Sequence, residues 1–413
     1  MKYQELISYE KKYGKCDNDL IIVIPCFINY DILIRHLGYL SKQTFQKFDV
    51  VIVLGPNFND AKLFEFLKNN NFDFGIIAIK RKEDTGSAGG FFTGQKYGFE
   101  KGYAYMINAD DDCMPTDPDL MKNLYGNKDY DYVSPTILLQ EGTVTFNDNF
   151  PSIAQYTLFS RKILQKYGLC YAPLYYYSED IEYRNRIKEK RIFIPNIAVH
   201  PLKRSNSYNE IKNSRVIYRA LNSVYSLEIR YAIRYLLTFC YTFSVYLLFF
   251  QEPLKKNAIN AIKSLLSFKY GKEVFDELNT RLEGQSYLKI SKNVKTIPDE
   301  NVGLGANTTD PHYKQKKILN LMKSSFENFR KEIIVENTYY FKLVMLSILA
   351  KKIYLKSDNE KMLLMSDNSS IIFHIVKLIF FPFFLFLCVL LIPLIYLPIR
   401  VLKKPNTIGY GLD

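Results

Sequence analysis

Between Asp84 and Asp112 the chain reads DTGSAGGFFTGQKYGFEKGYAYMINADDD, a stretch whose residue types suit two kinds of chemistry. Gly86, Gly89, Gly90 and Gly94 read as a glycine-dense turn leading into a short helix that ends near Gly102. Glycines let backbone come close to a bulky ligand because no Cβ intrudes, and amides at a helix start attract anions. Asp110, Asp111 and Asp112 follow an apolar run, Tyr103 to Asn108, that reads as a buried strand. Carboxylates crowded at a strand end repel each other unless a cation lies between them, and such an oxygen-rich set suits Mg²⁺ or Mn²⁺. A glycine turn alone is often only a turn, and an acidic run is often a solvated loop. Separated by one helix and one strand, the two point together to a diphosphate-bearing substrate.

The elements that must position these residues are of α/β type. Leu20 to Ile24 is a continuous aliphatic run, as buried parallel strands require, and Pro25 is expected to stop it. A helix is predicted over 31–41, a second buried strand over Val50 to Leu54, and a helix over 60–69 after the Gly55-Pro56-Asn57 turn. A third strand, Gly75 to Ile79, delivers Lys80, Arg81 and Lys82 just before the glycines. Strands alternating with helices signal βαβ units and a mostly parallel central sheet. Beyond the acidic triplet, Asp117-Pro118-Asp119 reads as a helix start. Tyr132 to Leu139 and Thr143 to Phe146 read as two strands around a turn at Glu141-Gly142, and Phe159 to Tyr167 as a helix. The run Tyr175-Tyr176-Tyr177-Ser178-Glu179-Asp180 precedes a helical pattern through Lys190. A short strand, Ile192 to Ile194, leads to Ile197-Ala198-Val199-His200. In open sheets of this kind ligands bind beyond the carboxyl ends of the strands.

A length of 413 residues predicts more than one unit. The expected division is a catalytic domain over 1–225, a helical, basic accessory region over 226–370 and a hydrophobic membrane segment over 371–413. A formal charge of +13 suits phosphate-bearing ligands, nucleic acid or an anionic membrane face. Six cysteines without CxxC spacing point to reduced thiols and away from a zinc site or a disulfide framework. The lead-in MKYQELISYEKKYGK lacks the apolar core of a signal peptide, so the catalytic part is expected in the cytoplasm. Lys292 to Thr309 reads as a loop. Leu378 to Ile399 is apolar and long enough to span a bilayer, while Tyr235 to Phe250 reads as a buried or interfacial helix. Pro382, Pro393 and Pro398 suggest that the C-terminal segment dips in and returns, leaving Arg400, Lys403 and Lys404 inside.

Four pieces stand in order: the strand ending at Pro25, the glycines, Asp110-Asp111-Asp112, and Ser178-Glu179-Asp180 followed by His200. In this order they resemble the family-two inverting glycosyltransferases of the GT-A fold. DTGSAGGFFTG and NADDDCMPTDPDL look most like the branch containing galactofuranosyl- and rhamnosyltransferases, and SRVIYRALNS is similar to a segment after the core there. The resemblance covers residues 20–225. It implies a nucleotide-sugar donor (UDP- or dTDP-linked), Mn²⁺ or Mg²⁺, and a glycan or lipid-linked glycan acceptor at the cytoplasmic face of a membrane; no nucleic-acid partner is expected. By this resemblance Asp110, Asp112 and His200 bind the metal. Pro25, Phe27, Arg81, Asp84, Gly86, Gly89, Gly90, Asp110 and Asp111 line the donor site, with Arg81 and Phe27 toward the base.

Inverting transfer needs one base to take the acceptor proton, and Asp180 of the acidic pair matches it, with Glu179 beside it to position the acceptor. The same carboxylates, with Glu182, also suit the start of the next helix for purely structural reasons. One departure concerns the turn after the second strand, where the family places an Asp that contacts the nucleotide. Here it reads Leu54-Gly55-Pro56-Asn57-Phe58-Asn59-Asp60. Two other readings fit the same composition: a sugar nucleotidyltransferase, which would need neither the acidic pair nor the hydrophobic tail, and a catalytically decayed, membrane-tethered binding protein.

Overall fold

The computed structural model of the chain describes residues 2–139, 144–145, 153–200, 217–250, 254–278, 295–297, 332–335, 348, 352–356, 362–367 and 370–403. The chain divides into two units, one comprising 1–203 with 303–307 and 406–413, the other 204–302 and 308–405.

The first unit is built on a nine-stranded sheet. Its strands are β1 (Ile7–Tyr13), β2 (Leu20–Cys26), β3 (Asp49–Leu54), β4 (Gly75–Arg81), β5 (Tyr105–Ala109), β6 (Tyr132–Leu139), β7 (Val144–Thr145), β8 (Gln155–Ser160) and β9 (Ile192–His200). Helices α1 (Tyr3–Leu6), α2 (Tyr30–Leu40), α3 (Asp60–Asn69), α4 (Gly86–Lys101), α5 (Leu120–Gly126), α6 (Arg161–Tyr167) and α7 (Glu179–Arg186) connect them. The order is β1-β4-β3-β2-β5-β8-β6-β7, with β9 on β6. The βαβ reading holds for the centre, where β4, β3, β2 and β5 are parallel.

The expectation of a mostly parallel sheet does not hold beyond that centre. β1 pairs antiparallel with β4, and β8 pairs antiparallel with both β5 and β6, so the sheet is mixed. Phe159 and Ser160, expected in a helix, end β8, and α6 begins at the very next residue. Ile192 to His200 is one strand rather than two pieces. The segment Asp117-Pro118-Asp119 is a turn before α5, closed by the Asp119 amide donating to Asp117 Oδ1 at 2.9 Å. α7 stops at Arg186, short of Lys190.

The aliphatic runs form strands because both faces are covered. Ile22, Ile24, Val50 and Ile52 pack with Leu33, Leu37 and Leu63 of α2 and α3. Their neighbours Ile21, Val23, Val51 and Val53 face the other way, onto Phe91 and Tyr97 of α4. Pro25 does not stop β2, which continues to Cys26. Pairing with β5 ends at Val23, so beyond it β2 is paired on the β3 side only, where a missing N–H is tolerated.

The glycine stretch is not a turn but the body of α4. A Cβ on Gly90 would lie 2.7 Å from Pro25 Cβ, and one on Gly94 would lie 2.2 Å from Val23 Cγ1. The glycines let a helix lie directly on the sheet. Gly102 ends it with φ +90°, a conformation open to glycine.

The second unit contains helices Ile229–Phe249, Leu254–Ser267, Lys272–Leu278 and Ile371–Lys403. It also holds a four-stranded sheet of Lys295–Ile297, Glu332–Val335, Lys352–Lys356 and Met362–Asp367, in a region expected to be helical. The predicted loop over 292–309 otherwise lies outside the described residues, as does Lys404. The C-terminal segment is one continuous 33-residue helix through all three prolines, not an entry and return. It runs antiparallel to Ile229–Phe249: the Phe381 and Phe249 rings are 5.6 Å apart, and the Tyr396 hydroxyl donates to the Val224 carbonyl at 3.2 Å. Both helices are long and apolar enough to cross a membrane, with mean hydropathy 3.0 over an 18-residue stretch of Ile371–Leu402 and 1.4 over one of Ile229–Phe249. Of that 18-residue stretch 11% is buried in the former, against 56% in the latter.

Candidate active site

The carboxyl ends of β2, β4 and β5 carry Phe27, Arg81 and Asp110-Asp111-Asp112 respectively. Asp110 donates its amide to the Ala154 carbonyl at 2.5 Å, and its own carbonyl accepts from the Cys113 amide at 3.1 Å. Burial, followed by the charges of Asp112, Asp111, Glu179 and Asp180, pushes the Asp110 carboxyl well above the usual carboxylate range. The fold therefore gathers the acidic triplet and the acidic pair, distant in sequence, into one electrostatic cluster. Asp111 turns partly inward. Burial first, then the charge and hydrogen bond of Asp111, push the Cys26 thiol up.

Glu179 and Asp180 open α7. Glu179 Oε1 accepts from the Ser87 hydroxyl at 2.5 Å, and Asp180 Oδ1 accepts from the Ile181 amide at 2.7 Å. The approach to α7 is strained: Tyr175, Tyr177 and Ser178 have φ of +65°, +62° and +68°, a left-handed region that side chains disfavour. The helix is rooted by a buried ion pair, Arg186 Nη2 to Glu182 Oε2 at 2.9 Å, with Arg186 also donating to the carbonyls of Tyr167 and Leu169.

At Asp84, Gly86, Gly89 and Gly90, where a phosphate cradle is expected, groups of the chain itself come close. Gly86 donates its amide to Asp84 Oδ1 at 3.2 Å, and Ala88 donates to the Tyr175 carbonyl at 3.1 Å. The Tyr175 hydroxyl donates to Asp84 Oδ2 at 2.9 Å, strapping the chain over the helix start. A Cβ on Gly86, whose φ is +66°, would lie 1.9 Å from the Tyr175 oxygen. A Cβ on Gly89 would meet Thr85 Oγ1 at 2.0 Å, so these glycines serve contacts within the chain.

Arg81, expected to contact the donor, has hydrogen-bonding capacity to spare. Its side chain is 2% exposed, and Nη1 donates to Thr85 Oγ1 at 2.6 Å and the Gly86 carbonyl at 2.9 Å. Nε and Nη2 are buried and meet no acceptor among the described residues. Burial, opposed by Asp84 and Tyr175, pushes its pKa down to about 10. The guanidinium carbon stands 5.0 Å from the centre of the half-buried Phe27 ring. Buried donors without acceptors are rare, and the Nε–Nη2 edge suits two oxygens or ring acceptors of a ligand.

Among the described residues no three His, Cys, Asp or Glu side chains form a group that could hold a metal ion by themselves. His200 ends β9, but its side chain lies outside the described residues. The donor chemistry nonetheless fits a hard cation: the cluster is all oxygen, and its mutual repulsion favours a positive charge. Mg²⁺ commonly takes one or two protein carboxylates and completes its shell with water and substrate phosphate.

Three contributors escape a reading of the sequence. His36 on α2 is fully buried, with Nδ1 3.1 Å from the Asp111 carbonyl oxygen and Nε2 hydrogen-bonded to the Tyr156 hydroxyl. Burial pushes its pKa down to about 4. Tyr175 and Arg186 are the others. Only Glu182 and Arg186 left a trace, as opposite charges one helical turn apart. A separate cavity of about 280 Å³ opens at the amino ends of β2 and β5, beside Lys12, Cys16, Asn18 and Lys101, away from the carboxylates.

No protein-family model matches the chain, and no curated protein sequence does. Among solved structures, the mannosyltransferase PcManGT from Pyrobaculum calidifontis, in complex with GDP-Man and Mn²⁺, is similar at 11% identity over 63% of this chain and 78% of its own, with a TM-score of 0.40. TarS 1–349 of S. aureus is similar at 13% identity over 60% of this chain and 79% of its own, with a TM-score of 0.41.

Proposed function

We propose that the chain is a metal-dependent, inverting glycosyltransferase, moving a sugar from a nucleoside-diphosphate donor to a hydroxyl of a membrane-linked or cell-surface glycan. The observation that carries this reading is the meeting of Asp110, Asp111 and Asp112 with Glu179 and Asp180, which raises the pKa of Asp110. A phosphate-only site would need no second acidic group, whereas sugar transfer needs both a cation-binding set and a base.

Asp110 and Asp112, with His200 by resemblance, would hold Mn²⁺ or Mg²⁺, which supplies Lewis-acid neutralisation of the diphosphate leaving group. Arg81 binds two acceptor atoms of the donor through its Nε–Nη2 edge, and Phe27 offers the nucleobase a ring face. Pro25 underlies this wall through its contact with Gly90. Asp180 takes the acceptor hydroxyl's proton as that oxygen attacks the anomeric carbon, and Glu179, steadied by Ser87, orients the acceptor. UDP- and dTDP-linked donors, and the galactofuranosyl- and rhamnosyl-type branch, follow from the motif resemblance. The apolar helix Ile371–Lys403 supports work at a membrane, with the cytoplasmic face favoured by the reduced cysteines.

The test is a panel of nucleotide sugars incubated with membranes containing the chain. Consumption of one sugar nucleotide, with release of its nucleoside diphosphate and dependence on Mn²⁺ or Mg²⁺, is expected. Formation of a sugar 1-phosphate and a nucleoside triphosphate only when pyrophosphate is added would point to nucleotidyl transfer instead.

A further inference from the structure

The face of α2 that turns to the sheet carries Leu33, Leu37 and Leu40, all fully buried, and in their midst one polar side chain, His36. Burying an imidazole is unfavourable unless its nitrogens are satisfied. Both are, and both partners belong to the walls of the acidic loop. A carbonyl oxygen can only accept, so the 3.1 Å contact with the Asp111 oxygen assigns the ring proton to Nδ1. With that proton on Nδ1, Nε2 accepts from the Tyr156 hydroxyl.

Tyr156 lies in β8, and its φ of +58° is one a bulky residue adopts only under constraint. Two residues before it, the Ala154 carbonyl accepts the Asp110 amide at 2.5 Å. The β5–β8 ladder shifts register between Asn108 and Ala109, where the strand gives way to the loop. The loop is thus held at consecutive residues: Asp110 by the backbone of Ala154, Asp111 by His36 and Cys26. A leucine at position 36 would match its neighbours in packing but would release the Asp111 carbonyl.

We infer that His36 is a positioning residue for the reaction, fixing the cation-binding carboxylates Asp110 and Asp112 through the Asp111 backbone without touching substrate. This rests on the glycosyl-transfer reading above, in which those two residues hold the metal.

The experiment uses the full chain and Mn²⁺ itself as the probe, its binding followed by loss of the free-ion paramagnetic resonance signal, alongside Tm. His36→Leu keeps the packing and loses both hydrogen bonds; His36→Asn keeps a donor near the place of Nδ1. His36→Leu is expected to weaken Mn²⁺ binding by about 10–100-fold, as loss of a group that orients metal ligands commonly does. His36→Asn is expected to recover most of that loss, whichever way Tm moves. A merely structural role would lower Tm and leave Mn²⁺ affinity unchanged in the folded protein, which would overturn the inference. Should His36→Leu fail to fold, Tyr156→Phe, which removes only the donor to Nε2, decides in the same way. Wild-type protein that binds no Mn²⁺ would overturn the metal reading itself, a result distinct from equal binding by wild type and variant.

Discussion

The Ser87 hydroxyl donates to Glu179 Oε1 at 2.5 Å, tying the first turn of α4 to the first residue of α7 across 92 positions of sequence. The Tyr175 carbonyl reinforces the same junction from the other side, accepting the Ala88 amide. The junction fixes where the acidic pair stands relative to the acidic loop. The donated hydroxyl occupies Glu179 Oε1 and fixes the orientation of that carboxylate. Its neighbour Asp180 lies at the helix start, bonded to the Ile181 amide, and is also close enough to raise the pKa of Asp110.

Asp180→Asn is therefore expected to reduce turnover by about 10²–10⁴-fold, the usual contribution of a general base, with donor binding preserved. Glu179→Gln is expected to cost less, and Ser87→Ala less again, with its effect on acceptor KM. Paired kinetics and donor-binding measurements on the three variants check this. Near-normal turnover in Asp180→Asn, or the largest loss in Glu179→Gln, would move the base elsewhere.

The carboxylate cluster works against the fold when no cation is present. The raised pKa of Asp110 means that the folded state binds the proton more tightly than the unfolded chain does. Stability is then greatest below the unfolded carboxyl value and is lost as pH rises through the folded one. Asp110→Asn is expected to raise Tm at pH 7 in metal-free buffer while abolishing transfer. Mn²⁺ is expected to raise the wild-type Tm and to leave that of the variant nearly unchanged. A lower metal-free Tm in the variant would contradict the account.

The central strands are legible because parallel strands covered on both sides must be aliphatic throughout, as Leu20 to Ile24 and Val50 to Leu54 are. β8 is not, because Gln155 to Ser160 passes into α6 with no turn residue between them. Charges at Glu10, Lys11 and Lys12 hid β1, yet they are what an exposed edge strand carries. The glycines misled for a physical reason. Gly normally weakens a helix, and only the close approach of Val23 and Pro25 explains why α4 tolerates so many. Asp110, Asp180 and Arg81 stand out by residue type and order, whereas the long-range contacts of His36 with Asp111 and Tyr156, and of Tyr175 with Asp84 and Ala88, leave no mark in a sequence.

Glu182 and Arg186 are both nearly inaccessible, at 2% and 6% exposure, and Arg186 also satisfies the Tyr167 and Leu169 carbonyls. Arg186→Ala would strand a buried carboxylate and two carbonyls, at a cost of about 3–5 kcal/mol. Arg186→Lys is expected to recover little, since an ammonium cannot reproduce the planar fork. Urea denaturation of the two variants gives the measurement. A loss under 1 kcal/mol in Arg186→Ala (~0.2–1 being usual for exposed pairs) would show that α7 is held by something else.

The C-terminal helix presents large apolar side chains outward along most of its length: Phe373 is 69% exposed, Phe383 60%, Phe386 62% and Leu394 62%. At 1.5 Å per residue, 33 residues extend about 50 Å, more than the ~30 Å hydrocarbon core of a bilayer. Such a surface in water would be an aggregation hazard, and its composition suits lipid. The inner face is engaged differently, with Phe381 and Phe384 against the aromatic side chains of Ile229–Phe249. Replacing Phe383, Phe386 and Leu390 together by Asp alters only exposed positions and should leave that packing in place. The full-length triple variant is expected to shift from the membrane pellet to the soluble fraction, most completely in high salt, where attraction between the basic chain and anionic lipid is screened. Flotation with vesicles of phosphatidylcholine alone, and with added phosphatidylserine, separates apolar insertion from charge attraction. A triple variant that floats as the wild type does would place the membrane contact elsewhere, with the partly exposed face of Ile229–Phe249, at Ile233 and Leu237, the next to test.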